Sequence, residues 1–371
     1  MTDQGTCWIP FDQLEAFMVD VFTGIGVPEA DARICADVLI AADKRGIDSH
    51  GIGRLKPIYY NRIVNDGIQR PVTEFEIVRD KGGTAVVDGH HGMGMVIAKR
   101  CMQMAIDKAR EHGIGMVVTR NSTHYGIAGY YVMMACAQNM IGMTCTNARP
   151  SIAPTFGVEN MLGTNPLVFG MPTDEPFIFT NDYATSICQR GKIEQYAREG
   201  KSMPPGWVIN QDGETLTDPA RVLKELVDGT AALLPLGGPG EESGGYKGYG
   251  YATVVELFSA ALQQGAFMKQ LNGLTNGKKM PYCLGHCFMA VDISAFTEPE
   301  AFKKTTGEIM RELRASTKAP GAERIYTCGE KEHLAWLERK DKGAPVNAEL
   351  QRDIIAMRKE LGLDKYRFPF D

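Results

Sequence analysis

The sequence predicts a layered α/β protein that carries a mostly helical unit at its N-terminus. Three observations support this reading. Apolar side chains recur at helical spacing through residues 1–75. Residues 76–190 instead alternate short β-rich runs with helical stretches, the pattern of helices packed on a sheet. The two glycine-rich candidates for a dinucleotide fingerprint, at 92–97 and 248–253, each miss the last glycine, and neither has an acidic residue at a second strand end about 20 residues on, so a standard Rossmann domain is not supported.

The elements follow in order. Residues 11–26 place Phe11, Leu14, Met18, Val21 and Phe22 on one stripe. Pro28 opens a second helix at its first position, with Ala30, Ile34, Val38 and Ala42 on one face, and Gly46 ends it. Residues 53–65 read as helical again. Strands are expected at 75–78, 84–88, 115–119, 141–146 and 177–180, with helices near 95–111 and 129–138. Gly and Pro are dense from 198 to 245, so that region reads as long connections. A helix at 250–264, a strand near 288–292 and a charged helical end from 298 complete the chain. The expected organisation is a helical unit over 1–75, an α/β cofactor-binding domain over 76–297, and a helical C-terminal segment over 298–371 packing on the first unit.

Composition narrows the classes of function. The 371 residues suffice for about two domains with a large core. The formal net charge is −5 and no basic cluster is long, which argues against nucleic acid or anionic lipid as partner. No apolar run reaches the roughly 18 residues of a membrane span, and residues 1–5 are polar, unlike a secretory leader. Nine scattered cysteines suit a reducing cytoplasm better than a disulfide framework.

The most informative segment is 45–54, RGIDSHGIGR. His50 and Arg54 are four apart, so a helix starting there puts both on one face. That pair suits a 2-keto or 2-hydroxy acid: the imidazole exchanges a proton with the carbonyl oxygen and the guanidinium grips the carboxylate through two parallel hydrogen bonds. The alternative is a helix-start loop with Asp48 or Ser49 as cap and Arg54 as a surface cation. A hydrolase built on Ser49–His50 is the weaker reading, because adjacent residues usually point apart and no G-x-S-x-G elbow occurs.

Four other segments carry weaker signals. The run 121–131 follows a strand with small residues that let backbone N–H groups approach a phosphate at a helix start, or it is a polar turn. Polar turns at 146–150 and 163–166 flank apolar strands. Asp182, at a strand end, either accepts ribose or amide hydrogen bonds or caps a helix. The turn 244–250 is glycine-rich and carries Lys247. Cys283 to Cys287, with His286 between them, resembles a metal motif, yet no second ligand pair stands at zinc spacing, so no metal is expected.

Together these segments resemble the type-2 malate/L-lactate dehydrogenase family, which also includes L-sulfolactate dehydrogenase-like, ureidoglycolate and diketogulonate oxidoreductases and cyclic imino-acid reductases. The matching pieces, in family order over some 280 residues, are RGIDSHGIGR at 45–54, NSTHYG at 121–126, GTNPLVF at 163–169, DYA at 182–184, RGKI at 190–193, GYKGYG at 245–250 and PGAER at 320–324. The resemblance implies a three-layer α/β/α fold with a mixed, non-Rossmann sheet. It implies a cytoplasmic homodimer with the active site near the subunit interface, and NAD(P)-dependent hydride transfer between a 2-hydroxy acid and a 2-keto acid. By this resemblance His50 is the proton donor and acceptor with Ser49 supporting it, Arg54 clamps the carboxylate, and Thr164 and His124 contact substrate. The cofactor contacts fall on His124, Tyr125, Gly126, Ile127 and Ala128, on Thr180, Asn181, Asp182, Tyr183 and Ala184, on Tyr246 and Lys247, and on Gly321, Glu323 and Arg324.

Two departures bear on function. Some members carry an aspartate at the position of Lys192, where it orients the Ser–His pair; lysine cannot accept that hydrogen bond. Ala322 is inserted in a motif that often reads P-G-E-R. The substrate expected first is malate/oxaloacetate, with Arg149, Arg190 and Lys247 as candidates for the far carboxylate. Lactate, sulfolactate, ureidoglycolate and cyclic imines are the alternatives within the family, and a non-catalytic nucleotide-binding protein is the alternative outside it. No arginine pair marks a 2′-phosphate site, so the cofactor reading is NAD, with NADP as the alternative.

Overall fold

A computed structural model describes residues 5–371; Met1–Gln4, the greater part of the polar N-terminus, lie outside the described residues. Strand β1 (Cys7–Ile9) leads into α1 (Phe11–Gly24) and α2 (Glu29–Lys44), which pack on each other through the expected stripe of α1. The buried face of α2 is wider than its spacing suggested: Cys35, Ala36, Val38 and Leu39 are buried, whereas Ala30 is exposed. Gly46, with φ +74°, terminates α2 in the left-handed region that favours glycine. Residues 48–54 are two 3₁₀ turns, followed by an 11-residue π-helix, Leu55–Asn65, where an α-helix was expected.

The chain then builds β2 (Glu76–Lys81), β3 (Thr84–Asp88), α3 (Gly94–His112), β4 (Ile114–Ser122), α4 (Gly129–Cys136), β5 (Met140–Thr146), β6 (Leu167–Met171) and β7 (Phe179–Asn181). The segment expected to be connections is structured: α5 (Arg190–Glu199), β8 (Val208–Asn210), α6 (Pro219–Asp228) and β9 (Ala231–Leu233) form a small unit around Ile193, Val208, Val222 and Leu233. A signal for α6 was present, because Asp218 caps it by accepting from the Ala220 N–H at 3.0 Å and Pro219 holds its first position. Next come α7 (Gly245–Ala260), β10 (Leu274–Thr275), β11 (Lys278–Lys279), β12 (Leu284–Asp292), α8 (Pro299–Ala315), α9 (Glu330–Arg339), β13 (Ala344–Val346) and α10 (Ala348–Glu360).

One seven-stranded sheet, in the order β2-β3-β4-β12-β5-β6-β7, organises the α/β part. Only β3 and β4 pair in parallel; every other neighbouring pair is antiparallel, so the sheet is mixed. Its two faces are covered separately. Val87, Val117, Phe288 and Ala290 pack against α3 and α4, while Val118, Met143, Cys145 and Cys287 pack on the side of α7 around Val255. This is the three-layer α/β/α arrangement. The helical unit has its own core, which also takes in Ile354 and Met357 of α10 and Phe368. Strand β13 pairs antiparallel with β1, and Lys56 of the π-helix reaches Asp353 at 3.0 Å, so the C-terminal segment closes on the N-terminal helices.

Candidate active site

The geometry begins at the end of α2. Asp43 is buried, and its carboxylate accepts the Ile52 N–H at 2.9 Å. A Cβ at position 51 would fall 1.8 Å from that carboxylate, so Gly51 is what lets the loop fold over Asp43. Burial first, and Asp48 after it, push the Asp43 carboxyl up to about 8 against the pull of Ile52 N–H and Arg339. From α9, Arg339 donates to the Asp43 carbonyl at 2.9 Å and pairs through both Nη groups with Asp48. The loop that carries Ser49 and His50 is thus held from below and from the side.

Ser49 Oγ lies 2.9 Å from His50 Nδ1, so the adjacent pair does bond, contrary to the expectation that neighbours point apart. His50 and Arg54 sit in successive 3₁₀ turns broken at Gly51, not on one α-helical face. Arg54 is brought back by donating Nε to the Ser49 carbonyl, which leaves both its Nη groups without a partner among the described residues. The His50 ring stacks on His124 with centroids 5.8 Å apart and planes at 21°. His124 in turn bonds Tyr59 of the π-helix. Burial, and then the Arg54 charge, bring His50 down to about 4; burial, His50, Arg62 and Arg54 hold His124 well below its ordinary value. Both rings are neutral near pH 7.

A second group of expected residues lines a cavity of about 550 Å³, walled by Ile127 and Gly129 at the start of α4, Thr180 in β7, Asp182 just after it, and Glu332 and Trp336 of α9; Ser49, His50, Arg54 and His124 are not in its lining. Asp182 accepts the Gly129 N–H at 2.7 Å, so it does cap a helix, one distant in sequence. Burial raises its carboxyl to about 6. The remaining expected residues divide. Tyr125 is buried and stacked between Tyr131 and His286, so its side chain belongs to the core; Gly126 and Ala128 are buried beside it. Asn181 uses its amide oxygen on the Phe169 N–H. Ala184 is buried and Tyr183 exposed. Thr164 is held in its turn by Thr185, whose N–H it accepts at 2.9 Å, and by neighbouring Asn165, which bonds Glu256 of α7 at 2.8 Å. Tyr246 and Lys247 project from the start of α7, with Lys247 over the Tyr246 ring. Gly321, Glu323 and Arg324 lie in an exposed turn where Arg324 pairs with Glu330.

Lys192 pairs with Gln195 on its own helix at 3.1 Å and has no bond to Ser49 or His50. His286 is buried with one ring nitrogen 2.7 Å from Thr146 Oγ1 and the other 2.7 Å from Ser122 Oγ, so the cysteine motif around it is a core network with no ring nitrogen to spare for a metal. Tyr59, Arg339, Glu332 and Trp336 were not read from the sequence. The last three stand on one face of an ordinary amphipathic helix, and their sequence positions carry no signal of the site.

A neutral imidazole beside an unpaired guanidinium is an arrangement that can exchange a proton with, and bind the carboxylate of, a small acid. The comparisons agree. The family model for malate/L-lactate dehydrogenase matches residues 9–355. The malate dehydrogenase of Pyrococcus horikoshii is 42% identical over 98% of both chains, and the L-sulfolactate dehydrogenase of Methanocaldococcus jannaschii is 38% identical over 94% of this chain and 95% of that one. The crystal structure of malate dehydrogenase from Entamoeba histolytica superposes with a TM-score of 0.93 at 40% identity, covering 98% of this chain and 99% of that one. This chain belongs to the malate/L-lactate dehydrogenase family. It is an oxidoreductase acting on small hydroxy or keto acids with a nicotinamide cofactor. The cavity fits such a group: apolar Ile127 and Trp336 offer faces for rings, and the carboxylates of Asp182 and Glu332 can accept hydroxyl protons.

Proposed function

We propose that the protein interconverts a 2-hydroxy acid and its 2-keto acid, malate and oxaloacetate first, with NAD. The stacked His50–His124 pair beside the free Nη groups of Arg54 carries this reading. A nicotinamide held by the cavity residues would supply hydride-transfer chemistry at the carbonyl carbon. Ser49 holds Nδ1 of His50, which leaves Nε2 to exchange the proton of the carbonyl oxygen. Arg54 binds the neighbouring carboxylate with its two Nη groups. Thr164 and His124 would complete the substrate contacts. Ile127, Thr180 and Asp182 would hold the cofactor from the cavity, and Lys247 and Gly321, Glu323 and Arg324 from the outer surface.

For the far carboxylate of a dicarboxylic substrate, the three cations suggested by sequence are poorly placed: Arg149 is exposed, Arg190 pairs with Glu194 at 3.0 Å, and Lys247 is exposed on α7. Besides Arg54, Arg62 of the π-helix is a cation whose charge reaches both His124 and Tyr59, and its guanidinium rests 4.3 Å from the Tyr282 ring centroid. We assign it the far acid group. The test is turnover of oxaloacetate, sulfopyruvate, pyruvate and a cyclic imine with NADH and NADPH. Oxaloacetate is expected to lead, and Arg62→Leu should raise its KM far more than that of pyruvate. Loss of NADH absorbance with none of the panel would favour a binding-only protein.

The NAD reading rests on Glu332, which lines the cavity with Asp182, Lys44 and Arg45 and has no hydrogen bond or ion pair among the described residues, though the Arg45 charge reaches it. An unpaired acid accepts a ribose hydroxyl and repels a 2′-phosphate. Glu332→Gln should narrow the ratio of NADPH to NADH dissociation constants by about fivefold, the effect of roughly 1 kcal/mol between screened charges. An unchanged ratio would remove Glu332 from this role. A homodimer is supported by α7, which leaves Tyr251, Val254 and Leu257 exposed at helical spacing on one side. The cytoplasmic assignment is supported by nine free cysteines.

A further inference from the structure

We propose that Tyr59 is a positioning residue for His124: with the Gly126 N–H it holds the ring in the tautomer protonated on Nε2, so that His124 offers a fixed hydrogen-bond donor while His50 alone exchanges the proton. The inference rests on the reaction centre proposed above.

The Gly126 backbone N–H points at His124 Nδ1 from 3.2 Å. An amide has only a proton to give, so Nδ1 must present its lone pair. Tyr59 Oη lies 2.7 Å from the same nitrogen and, with Nδ1 unprotonated, is the donor of that bond. The one remaining ring proton is then on Nε2. Neither group can easily turn away. Tyr59 is fully buried, its ring meets Phe22 edge-on at 5.9 Å and His124 at 5.8 Å, and its hydroxyl faces His124 Nδ1 and the Gly126 N–H; that amide can only donate, so the hydroxyl proton goes to Nδ1.

The backbone explains how Tyr59 arrives there. It sits within the π-helix Leu55–Asn65, whose wider turn shifts side chains out of α-helical register, a distortion concentrated at functional sites. The sequence Leu55 to Asn65 gives no warning of it. The consequence is a division of labour between two stacked imidazoles. If both could exchange protons, the proton destined for the carbonyl oxygen could be lost to the neighbouring ring. Capping Nδ1 with two donors removes that path, because a protonated Nδ1 would face the Gly126 N–H. Burial and the adjacent cations independently keep His124 neutral.

Selective ¹⁵N-histidine spectra test this in the full-length enzyme, with the His124 signals assigned by their loss in His124→Gln. In the wild type the expected pattern is a protonated Nε2 and a bare, hydrogen-bonded Nδ1. Tyr59→Phe should move the Nδ1 resonance and slow single-turnover reduction of the keto acid by about 2- to 12-fold, the effect of one net hydrogen bond. A proton on Nδ1 in the wild type overturns the proposal. So does a Tyr59→Phe enzyme whose His124 resonances, or whose single-turnover rate, are unchanged. If that variant does not fold, 3-fluorotyrosine at position 59, a stronger donor, must move the same resonance, and its failure to do so is equally fatal. The spectra read the tautomer whatever the substrate proves to be, so absence of turnover in the wild type would count against the reaction and not against Tyr59.

Discussion

His50 owes its neutrality to burial first and to the Arg54 charge second. Only the second cause can be altered by substrate. On the proposed roles, a carboxylate bound on Arg54 would cancel that charge and raise the His50 pKa, so substrate binding would itself draw the proton for reduction onto the ring. The pKa governing kcat should therefore lie above that governing kcat/KM, once the substrate's own ionisation is subtracted; identical values would contradict the coupling. In the free protein the neutral imidazole, the form the proposed oxidation would use, persists down to about pH 4. The same shift bears on stability. The folded protein binds fewer protons than the unfolded chain between about 4 and 6.5, so the contribution of this group to stability rises with pH across that window. His50→Ala should lower turnover by ~10²–10⁴-fold in a protein that still folds, as loss of general acid–base catalysis does. Near wild-type turnover in a folded variant would sink the assignment.

At the scale of elements, the loop between α2 and the π-helix is held by a helix nearly 300 residues away. Arg339 of α9 pairs with Asp48 and caps the Asp43 carbonyl, with its own side chain only 13% exposed. Asp48 is open to solvent, so the pair contributes little to global stability, about 1 kcal/mol or less. Its effect is local. Arg339→Leu should speed backbone hydrogen exchange through residues 47–52 and lower kcat/KM, while the melting temperature changes little. Unchanged exchange in that loop would refute the restraint. This contact was beyond sequence reading because an arginine in a charged helix looks like any other solvated cation. The role of Asp182 was half legible: its place at a strand end suggested an acceptor, but which N–H it would accept depended on the packing of α4 against β6 and β7.

For the whole molecule, the exposed side of α7 carries the assembly prediction. Leu257 is 57% exposed on the side of the helix that also exposes Tyr251 and Val254. Leu257→Glu should shift the enzyme from dimer to monomer in sedimentation, and a wild type that is already monomeric would remove the homodimer. Much of the fold was legible. The stripe of α1, the β-rich runs and the seven motifs in order were enough for a layered α/β protein of this family, because apolar periodicity and turn chemistry are local properties of the chain. The small unit of α5, α6, β8 and β9 was missed because glycine and proline density masked the cap at Asp218. The spacing of His50 and Arg54 pointed to one α-helical face, whereas 3₁₀ turns and a bond from Arg54 to the Ser49 carbonyl are what bring the two residues together.

By itself, then, the sequence determined which residues could do acid–base chemistry and bind a carboxylate, because residue type and family motif are written in order along the chain. Only the tertiary structure decided that His50 meets His124, that Tyr59 and the Gly126 N–H share one ring nitrogen, and that α9 supplies both Arg339 for the loop and Glu332 for the cavity. Those are contacts between segments far apart in the chain. Each depends on how the helical unit and the sheet pack, which no local pattern encodes.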